Sequence, residues 1–598
     1  MAEKTTGEMQ ATLGLTGLTM NAMALIAPGA FLWLTFVLQG GEGATSPAMW
    51  IGILFALLLC LATAVSYAEL SKLYPGTGSS YYFAEQSFLN HEKAWKYARL
   101  SKFIVGWGSH LYYWIYTGVM VAVTGAFCGY MAGTLWPTFM SASNPGPMFM
   151  MACATVFALI VAYIAHRGVS GSTAVSIAIN VIQISALLVF AVMAIGYRAS
   201  HPAGSVAWQW DVPSGDAYNC EFATTSQTVN GTATDVITRD ATTMVPQCKM
   251  DAAGKPVPYH VSYPWSDSSG NFLSHPSAKS VIGIHKLGWM FVQANVAILI
   301  LVGFESCTSL GGEAKNPKRD IPIAVITSLL VQGAFCYLIE YFAANYALSS
   351  GYTMQNAVGS AAPIGDMMVM IGDALFGAGH GRTFMLIEAL TVFLALIGTT
   401  LSCMNTGARV TYAMGKDNEV PESFGLLHGK NLSPHRAIWA LAVIAIIFGV
   451  LGLSVLFGNT VAMTDATIAA LPHGFWSSFG YMSHDTMAKL PNTLLMITLA
   501  SNFGTFLLYG LSCVVCMVAF HKHPKFSFVK HMLVPLFGVI ANLTCMAFYL
   551  VGPFMGYGNW KEPYFALAIA AVWGIYGAIY FVTSSKKTGR TTLVTTRA

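Results

Sequence analysis

The chain has 598 residues, of which 55% are hydrophobic and 9% are charged, and its mean hydropathy is +0.57. A soluble domain is about 25% charged, so this composition excludes a soluble enzyme, a nucleic-acid-binding protein and a disordered scaffold. The formal net charge of +4 is small. The positions of the charged residues along the chain are more informative than this sum. The composition is typical of a polytopic membrane protein.

Twelve apolar segments are long enough to cross a bilayer, whose hydrocarbon core needs about 20 residues of helix. We number the predicted helices 1 to 12 in chain order. Their ranges are 15–39, 48–72, 104–135, 148–166, 170–197, 288–312, 320–348, 384–414, 436–457, 491–520, 531–553 and 563–585.

The positive charges predict the direction of these helices. If the N-terminus is inside, the cytoplasmic segments hold 21 of the 30 Lys and Arg. Six of the other nine lie in one long loop, 198–287, where the relation between charge and orientation has little force. We therefore expect a multi-pass protein of the cell (cytoplasmic) membrane with both termini cytoplasmic. The first residues lack a basic n-region, so no cleaved signal peptide is expected.

The loop 198–287 is the long hydrophilic insertion, and it joins helices 5 and 6 on the outside. Cys220 and Cys248 are the only cysteines in it, and the oxidising exterior favours a disulfide between them. The other nine cysteines mostly lie in apolar runs, where a thiol packs as a small hydrophobe, so neither a metal site nor a cofactor is expected. The stretch 76–103 fits either an interfacial helix or the first turns of helix 3.

A charge at membrane depth is costly and commonly marks function. Glu305, in the middle of helix 6, is the one carboxylate that we place deep in the membrane, because Glu69, Glu313, Glu340 and Glu388 fall near helix ends. Two interpretations stay open for Glu305. It either bonds to a neighbouring helix in a structural role, or it serves substrate binding or proton transfer.

Two helices carry an interruption at matching depth. Helix 1 contains Ala27-Pro28-Gly29 and helix 6 contains Gly303-Phe304-Glu305. Proline lacks an N–H, and glycine adopts backbone angles that other residues avoid. One such kink favours simple packing, but a matched pair indicates a transporter site at the bilayer midplane. Free N–H groups at such a break attract a carboxylate, and free carbonyls attract an ammonium.

Three segments carry a family resemblance. They are 67–81 after helix 2, 303–305 with 312–322 on helix 6 and the loop after it, and 408–417 with Pro421 at the end of helix 8. In this order, and on the predicted cytoplasmic side, they resemble the amino acid–polyamine–organocation (APC) superfamily of permeases. The resemblance covers about residues 12–580, apart from the loop 198–287.

The resemblance implies an all-α polytopic membrane protein with about twelve transmembrane helices in a LeuT-like 5+5 inverted repeat, in which helices 1 and 6 are discontinuous. It divides the chain into a cytoplasmic tail (1–14), a first five-helix repeat (15–197), the extracytoplasmic loop (198–287), a second repeat (288–520), helices 11 and 12 (521–585) and a second cytoplasmic tail (586–598).

The resemblance also places the substrate contacts at the two breaks. They fall on Leu25, Ala27, Pro28, Gly29 and Ala30 of helix 1 and on Ile300, Gly303 and Phe304 of helix 6, with Glu305 as the candidate for proton coupling. Pro28 departs from the family pattern, because it removes an N–H that could bind a substrate carboxylate. If Gly29 and Ala30 supply the donors, amino acids stay ahead of amines as substrates. Tyrosines 112, 113 and 116 of helix 3 either face substrate or pack elsewhere.

The implied function is a secondary active transporter of amino acids that works by alternating access and is coupled to protons or to exchange. The partners are then the bilayer, a small amino acid or amine and H⁺, and neither enzymatic activity nor nucleic-acid binding is expected. The alternatives are a polyamine or amine transporter, a sodium symporter that uses Thr399, Thr400 and Ser402 of helix 8, and a nutrient sensor or channel. A haem-binding redox subunit is disfavoured, since it needs pairs of deep histidines and even His110, the deepest one, lies near an end of helix 3.

Overall fold

In the computed structural model, every described spanning element is a helix. The described residues are 11–40, 42–136, 147–200, 224–229, 232–237, 250, 252–254, 278–348, 354, 357, 362–377, 379–453, 493–555 and 561–594. Cys220 and Cys248 lie outside these residues, and so does their predicted disulfide.

All twelve predicted helices are present. Among the described residues, ten helical stretches are long and apolar enough to cross a membrane, and Leu15–Ile26 and Leu287–Leu301 are shorter apolar helices. These two short pieces are the first halves of helices 1 and 6, here called helix 1a and helix 6a. The discontinuity predicted for both helices is therefore confirmed, and with it the LeuT-like all-α fold class.

The helices have the following bounds. Helix 1a is Leu15–Ile26 and helix 1b is Pro28–Gly40; helix 2 is Met49–Leu73, helix 3 Ala98–Leu135, helix 4 Pro147–His166 and helix 5 Val169–Ser200. Helix 6a, Leu287–Leu301, precedes the 3-10 segment Phe304–Ser309. Helix 7 consists of Pro317–Leu329, a π-helical segment Leu330–Tyr337 and Leu338–Ala347. Helix 8 is His380–Lys416, helix 9 His435–Leu453, helix 10 Thr493–Phe520, helix 11 Val534–Val551 after a π turn Val529–Leu533, and helix 12 Lys561–Thr588.

Smaller elements lie between the spans. A short helix, Ser80–Leu89, follows helix 2, and another, Pro363–Phe376, precedes helix 8. Within the predicted outer loop, strands β1 (Thr224–Val229) and β2 (Thr232–Ile237) form an antiparallel hairpin in which Thr224 pairs with Ile237, and Ala278–Val281 is helical. The stretch 76–103 contains a separate short helix, and helix 3 also begins at Ala98, before the predicted residue 104.

Buried ion pairs explain why helix 3 extends so far. Arg99 donates to both carboxylate oxygens of Glu419, at 2.8 and 3.0 Å. Lys102 lies 2.5 Å from Glu85 and 2.8 Å from Asp417. Since a buried charge is tolerated when it is paired and hydrogen-bonded, these contacts let the helix continue through two positive residues.

A close contact between helices 3 and 10 positions the interior. A Cβ atom placed on Gly504 of helix 10 would lie 2.8 Å from the backbone nitrogen of Tyr112 on helix 3. Small residues allow such close backbone approach in membrane bundles. One tyrosine of each helix, Tyr113 and Tyr509, then reaches the same carboxylate, that of Glu305.

Candidate substrate site at the breaks of helices 1 and 6

The break in helix 1 is a single residue. Ala27 adopts the left-handed conformation, with φ 30° and ψ 69°, and its N–H donates to the Met23 carbonyl at 3.1 Å. The helix resumes at Pro28, where proline is favoured because the first N–H of a helix has no intrahelical partner. The interruption predicted at Ala27-Pro28-Gly29 is therefore present, and the N–H that Pro28 lacks is one that the helix does not use.

The break in helix 6 depends on a glycine. Helix 6a ends at Leu301, Val302 is extended, and Gly303 has φ 120° and ψ −16°. A Cβ atom on Gly303 would lie 2.6 Å from Cγ of Leu25. The two breaks are therefore in direct contact, at a place where only glycine fits both the backbone angle and the space.

Glu305 lies directly after this glycine and is fully buried. Its Oε1 accepts a hydrogen bond from the Tyr113 hydroxyl of helix 3 at 3.0 Å. Its Oε2 accepts from the Tyr509 hydroxyl of helix 10 at 2.7 Å and from the Gly303 N–H at 3.1 Å. No Lys, Arg or His among the described residues pairs with it. The group is therefore a buried carboxylate held by neutral donors, which suits either an ammonium ligand or a proton.

The carbonyls of helix 1a receive side-chain hydrogen bonds from helices 5, 7 and 8. The bonds are Asn180 to Met20 at 2.9 Å, Ser402 to Asn21 at 2.9 Å, Thr399 to Ala24 at 3.0 Å and Tyr337 to Ile26 at 2.6 Å. No described side chain hydrogen-bonds the Leu25 carbonyl, which lies between the last two acceptors. This carbonyl differs in that respect from its neighbours Ala24 and Ile26.

The structure brings most of the predicted residues together. Leu25, Ala27, Ile300, Gly303, Phe304 and Glu305 are all buried around the breaks. Gly29 points elsewhere, since a Cβ atom there would lie 3.7 Å from Leu187 of helix 5. The side chains of Pro28 and Ala30 lie outside the described part of the chain.

Two residues of the site were missed by sequence reasoning. Tyr509 bonds to Glu305, and Tyr337 bonds to the last carbonyl of helix 1a. Both are tyrosines within long apolar runs, and nothing in those runs sets them apart from other interfacial or packing tyrosines. The ring of Phe304 explains the position of Tyr509, because the two ring centroids are 5.2 Å apart.

On the predicted cytoplasmic side, the three segments that carry the family resemblance meet. Arg409 of helix 8 forms a two-point contact with Glu313, at 2.9 and 3.1 Å. The N–H of Gly312 donates to the Thr77 hydroxyl at 3.2 Å, and the backbone N–H of Leu13 donates to the Glu313 carbonyl at 2.9 Å. These contacts close the bundle below the breaks.

A twelve-helix bundle whose two discontinuous helices meet at a buried carboxylate is the architecture of a membrane transporter. Comparison with known families agrees. The model of the amino acid permease family matches residues 11–576, and the chain belongs to that family.

Several relatives are similar over most of their length. A branched-chain amino acid permease of Bacillus subtilis is 24% identical across 74% of this chain and 76% of its own. A methylthioribose transporter of the same bacterium is 23% identical, across 79% and 82%, and a low-affinity putrescine importer of Escherichia coli is 22% identical, across 78% and 82%. A branched-chain amino acid permease of Lactococcus lactis is 29% identical over 27% of this chain, which corresponds to only 32% of the relative.

Proposed function

We propose that this protein is a secondary active transporter that moves amino acids across the cytoplasmic membrane by alternating access, with both termini cytoplasmic. The observation that carries the proposal is the contact between the two breaks, where Gly303 packs against Leu25 and places Glu305 beside the end of helix 1a. An α-amino acid carries an ammonium and a carboxylate, and the breaks offer a partner for each.

The ammonium would bind at the negative side of the site. The Leu25 carbonyl and the Glu305 carboxylate both lie there, and a carbonyl at the end of a half-helix is a favourable cation partner. The carboxylate would bind at the start of helix 1b, where the N–H groups of Gly29 and Ala30 belong to the first turn and have no partner within the helix.

A second candidate substrate class is an amine or polyamine. Glu305 favours it, because this buried carboxylate can hold an ammonium whether or not the substrate also has a carboxylate. The relatives include transporters named for both classes, a branched-chain amino acid permease and a putrescine importer. Amino acids stay first because helix 1b offers anion-binding N–H groups in addition.

Competition for uptake into proteoliposomes tests the site. The labelled substrate is found first by screening a panel of amino acids and polyamines. Its N-acetylated form should then lose all inhibition, since the ammonium is gone, while the decarboxylated amine should retain some. Inhibition by the N-acetyl acid together with none by the amine would refute this assignment. Absence of uptake and counterflow for every compound would favour a channel or a sensor.

For coupling, we propose a proton carried by Glu305, or exchange of one substrate for another. Helix 5 offers no charged side chain to helix 1a among the contacts of the described residues, and its Asn180 donates to the Met20 carbonyl. The sodium alternative would use Thr399 and Ser402, whose hydroxyls now pair with the carbonyls of Ala24 and Asn21. The proposal is supported if uptake persists when choline replaces Na⁺. Uptake should also rise with an inward proton gradient or with internal substrate. Uptake that requires Na⁺ contradicts it.

A further inference from the structure

A polar cavity lies on the predicted cytoplasmic side of the bundle. It has a volume of about 520 Å³ and lies between the end of helix 2, the segment after the short helix Ser80–Leu89 and the end of helix 10. Its wall includes Tyr74, His91 and Lys93 from the first two of these segments and Lys522 and His523 from the third. This volume is within the range of small-molecule sites. We call it the helix 10 cavity.

Two histidines of this wall each offer an N–H donor. Nδ1 of His91 accepts the backbone N–H groups of Lys93 and Ala94, at 3.2 and 3.1 Å. Nδ1 of His523 accepts the backbone N–H of Lys525 at 3.1 Å. Because a backbone nitrogen can only donate, each neutral ring carries its proton on Nε2. Within the described parts of the chain neither Nε2 has a hydrogen-bond partner, so a ligand that pairs with both must bring acceptors.

The charge around the cavity is mostly positive. His521 stacks on His91, with the ring centroids 5.4 Å apart. Burial lowers the pKa of the His91 ring, and His521 lowers this pKa further. Of the other nearby charges, Glu92 raises it, whereas Lys522 and Lys93 lower it. Glu92 lies 3.4 Å from Lys522, so one carboxylate is set against two lysines and an anionic ligand would balance the excess.

Lys522 occupies a position that is unfavourable for most side chains. Helix 10 ends at Phe520, and Lys522 has φ 60° in the turn that follows. This left-handed conformation is adopted readily by glycine and by asparagine, and it costs energy for other residues. An exposed ion pair such as the one with Glu92 contributes little stability. The positive charge beside the cavity is therefore the property that a lysine adds here.

The membrane surface lies beside the cavity. Helices 2 and 10 end at Leu73 and Phe520, and the apolar span of helix 11 begins at Val529. Between helices 10 and 11, Phe526 and Phe528 are 47% and 63% exposed. Exposed aromatic residues close to lysines are typical of the membrane–water interface. The helix 10 cavity therefore lies at the depth of the lipid headgroups.

We propose that the helix 10 cavity binds the phosphate group of an anionic phospholipid, which accepts hydrogen bonds from the two histidine Nε2 atoms and pairs with Lys93 and Lys522. A phosphate fits because it brings several acceptor oxygens together with a negative charge. The bound lipid links the end of helix 10, the helix that carries Tyr509, to the segment after helix 2. A soluble phosphate compound has the same chemistry, so the test must separate the two sources.

The test compares two lipids that differ in net charge. Native mass spectrometry of the purified full-length protein measures the binding of dioleoyl phosphatidylglycerol and of dioleoyl phosphatidylcholine, in which the choline cancels the phosphate charge. Since one hydrogen bond to a charged group corresponds to about tenfold in affinity, we expect phosphatidylglycerol to bind about tenfold more tightly. Glycerol 3-phosphate has the phosphate without the hydrocarbon chains and should not displace the bound lipid.

Three variants locate the preference. Lys522→Asn removes the charge and fits the left-handed backbone, so it should unfold at an unchanged temperature in lipid-free detergent and bind phosphatidylglycerol about tenfold more weakly. Lys93→Asn, on the other wall, should weaken binding in the same way and gives an independent measurement if the first variant does not fold. Lys525→Asn is the matched control, because it makes the same change at an exposed residue that does not line the cavity, and it should leave the affinity unchanged.

Four results would overturn the proposal. Equal affinities of the unchanged protein for the two lipids would exclude selection of an anion. Unchanged affinity for phosphatidylglycerol in Lys522→Asn and Lys93→Asn would place the lipid elsewhere. An equal loss in Lys525→Asn would show only a general attraction to the basic surface. Displacement of the lipid by glycerol 3-phosphate would assign the cavity to a soluble phosphate compound.

Discussion

Glu305 receives its hydrogen bonds from three separate parts of the chain, which are its own helix break, helix 3 and helix 10. Its position in the middle of a predicted helix is enough to single it out from the sequence, because a deep carboxylate is rare and costly. Its partners are not predictable in the same way. Tyr113 and Tyr509 lie 192 and 204 residues away from it, and both occur in runs with several other aromatic residues.

We predict that Glu305→Gln reduces uptake at least tenfold and removes its pH dependence, while the protein still inserts and folds. Glutamine keeps the shape of the side chain but brings an amide NH₂ towards donors that require an acceptor, and it cannot carry a proton. Uptake into proteoliposomes across a pH series measures the effect. Tyr509→Phe is the milder variant, since it removes one donor and keeps the ring against Phe304. Normal uptake with unaltered pH dependence in Glu305→Gln would exclude a role in coupling.

Among the helices, the breaks are predictable from the sequence, whereas the lengths are less so. The breaks at Ala27-Pro28-Gly29 and at Gly303 can be predicted because proline and glycine interrupt helices. Helix 3 begins six residues before its predicted start, because Arg99 and Lys102 are buried in ion pairs with the distant residues Glu419 and Asp417, and the sequence alone does not reveal those partners. The π segment of helix 7, Leu330–Tyr337, has no signal in the sequence either.

The break in helix 6 leads to a prediction on stability. Gly303→Ala should lower the free energy of unfolding by about 1–3 kcal/mol, the usual cost of a strained backbone conformation, and displace Leu25, whose Cγ would lie 2.6 Å from the new methyl group. Thermal unfolding in detergent, with uptake in parallel, measures both effects. Gly574→Ala in helix 12 is the matched control, because nothing lies within 4 Å of its Cβ position, and it should be neutral or slightly stabilising. Equal stability of the two variants would show that the break tolerates a side chain.

At the scale of the whole molecule, the three family segments close one end of the bundle. Arg409 and Glu313 form a buried ion pair that ties helix 8 to the loop after helix 6, and Leu13 adds the start of helix 1a to the same loop. The resemblance located these segments, but the sequence did not show that they contact one another. In the proposed alternating-access cycle, this end must separate whenever the site opens to the side on which these segments lie.

We predict that Glu313→Gln favours the state open on this side. Removal of one partner from a buried pair costs about 3–5 kcal/mol, and the loss falls on the closed state, in which the pair forms. Cys307, two residues after Glu305 and fully buried, should then react faster with a thiol reagent, as measured by mass spectrometry of its peptide. Glu422→Gln, at an exposed position, should leave the rate unchanged. The same rate in both variants would contradict a gating role for the pair.

The outer loop gives a prediction of a different kind. We expect a disulfide between Cys220 and Cys248, which would close a loop of about 29 residues and stabilise it by roughly 3 kcal/mol. Alkylation without reductant, followed by peptide mass spectrometry, should find both residues linked and the nine other cysteines as thiols. Recovery of both loop cysteines in alkylated form would show that the loop is not cross-linked.

The π segment of helix 7 has a mechanical consequence. A π-helical turn contains one residue more than an α-helical turn. Conversion of Leu330–Tyr337 to α-helix would therefore rotate the residues that follow it about the helix axis. If the turn tightens, Tyr337 swings about 100° around the helix axis and its hydroxyl leaves the Ile26 carbonyl. That carbonyl is the last acceptor before the break in helix 1. One hydrogen bond therefore links the winding of helix 7 to the end of helix 1a, so a change in either helix at this point is felt by the other.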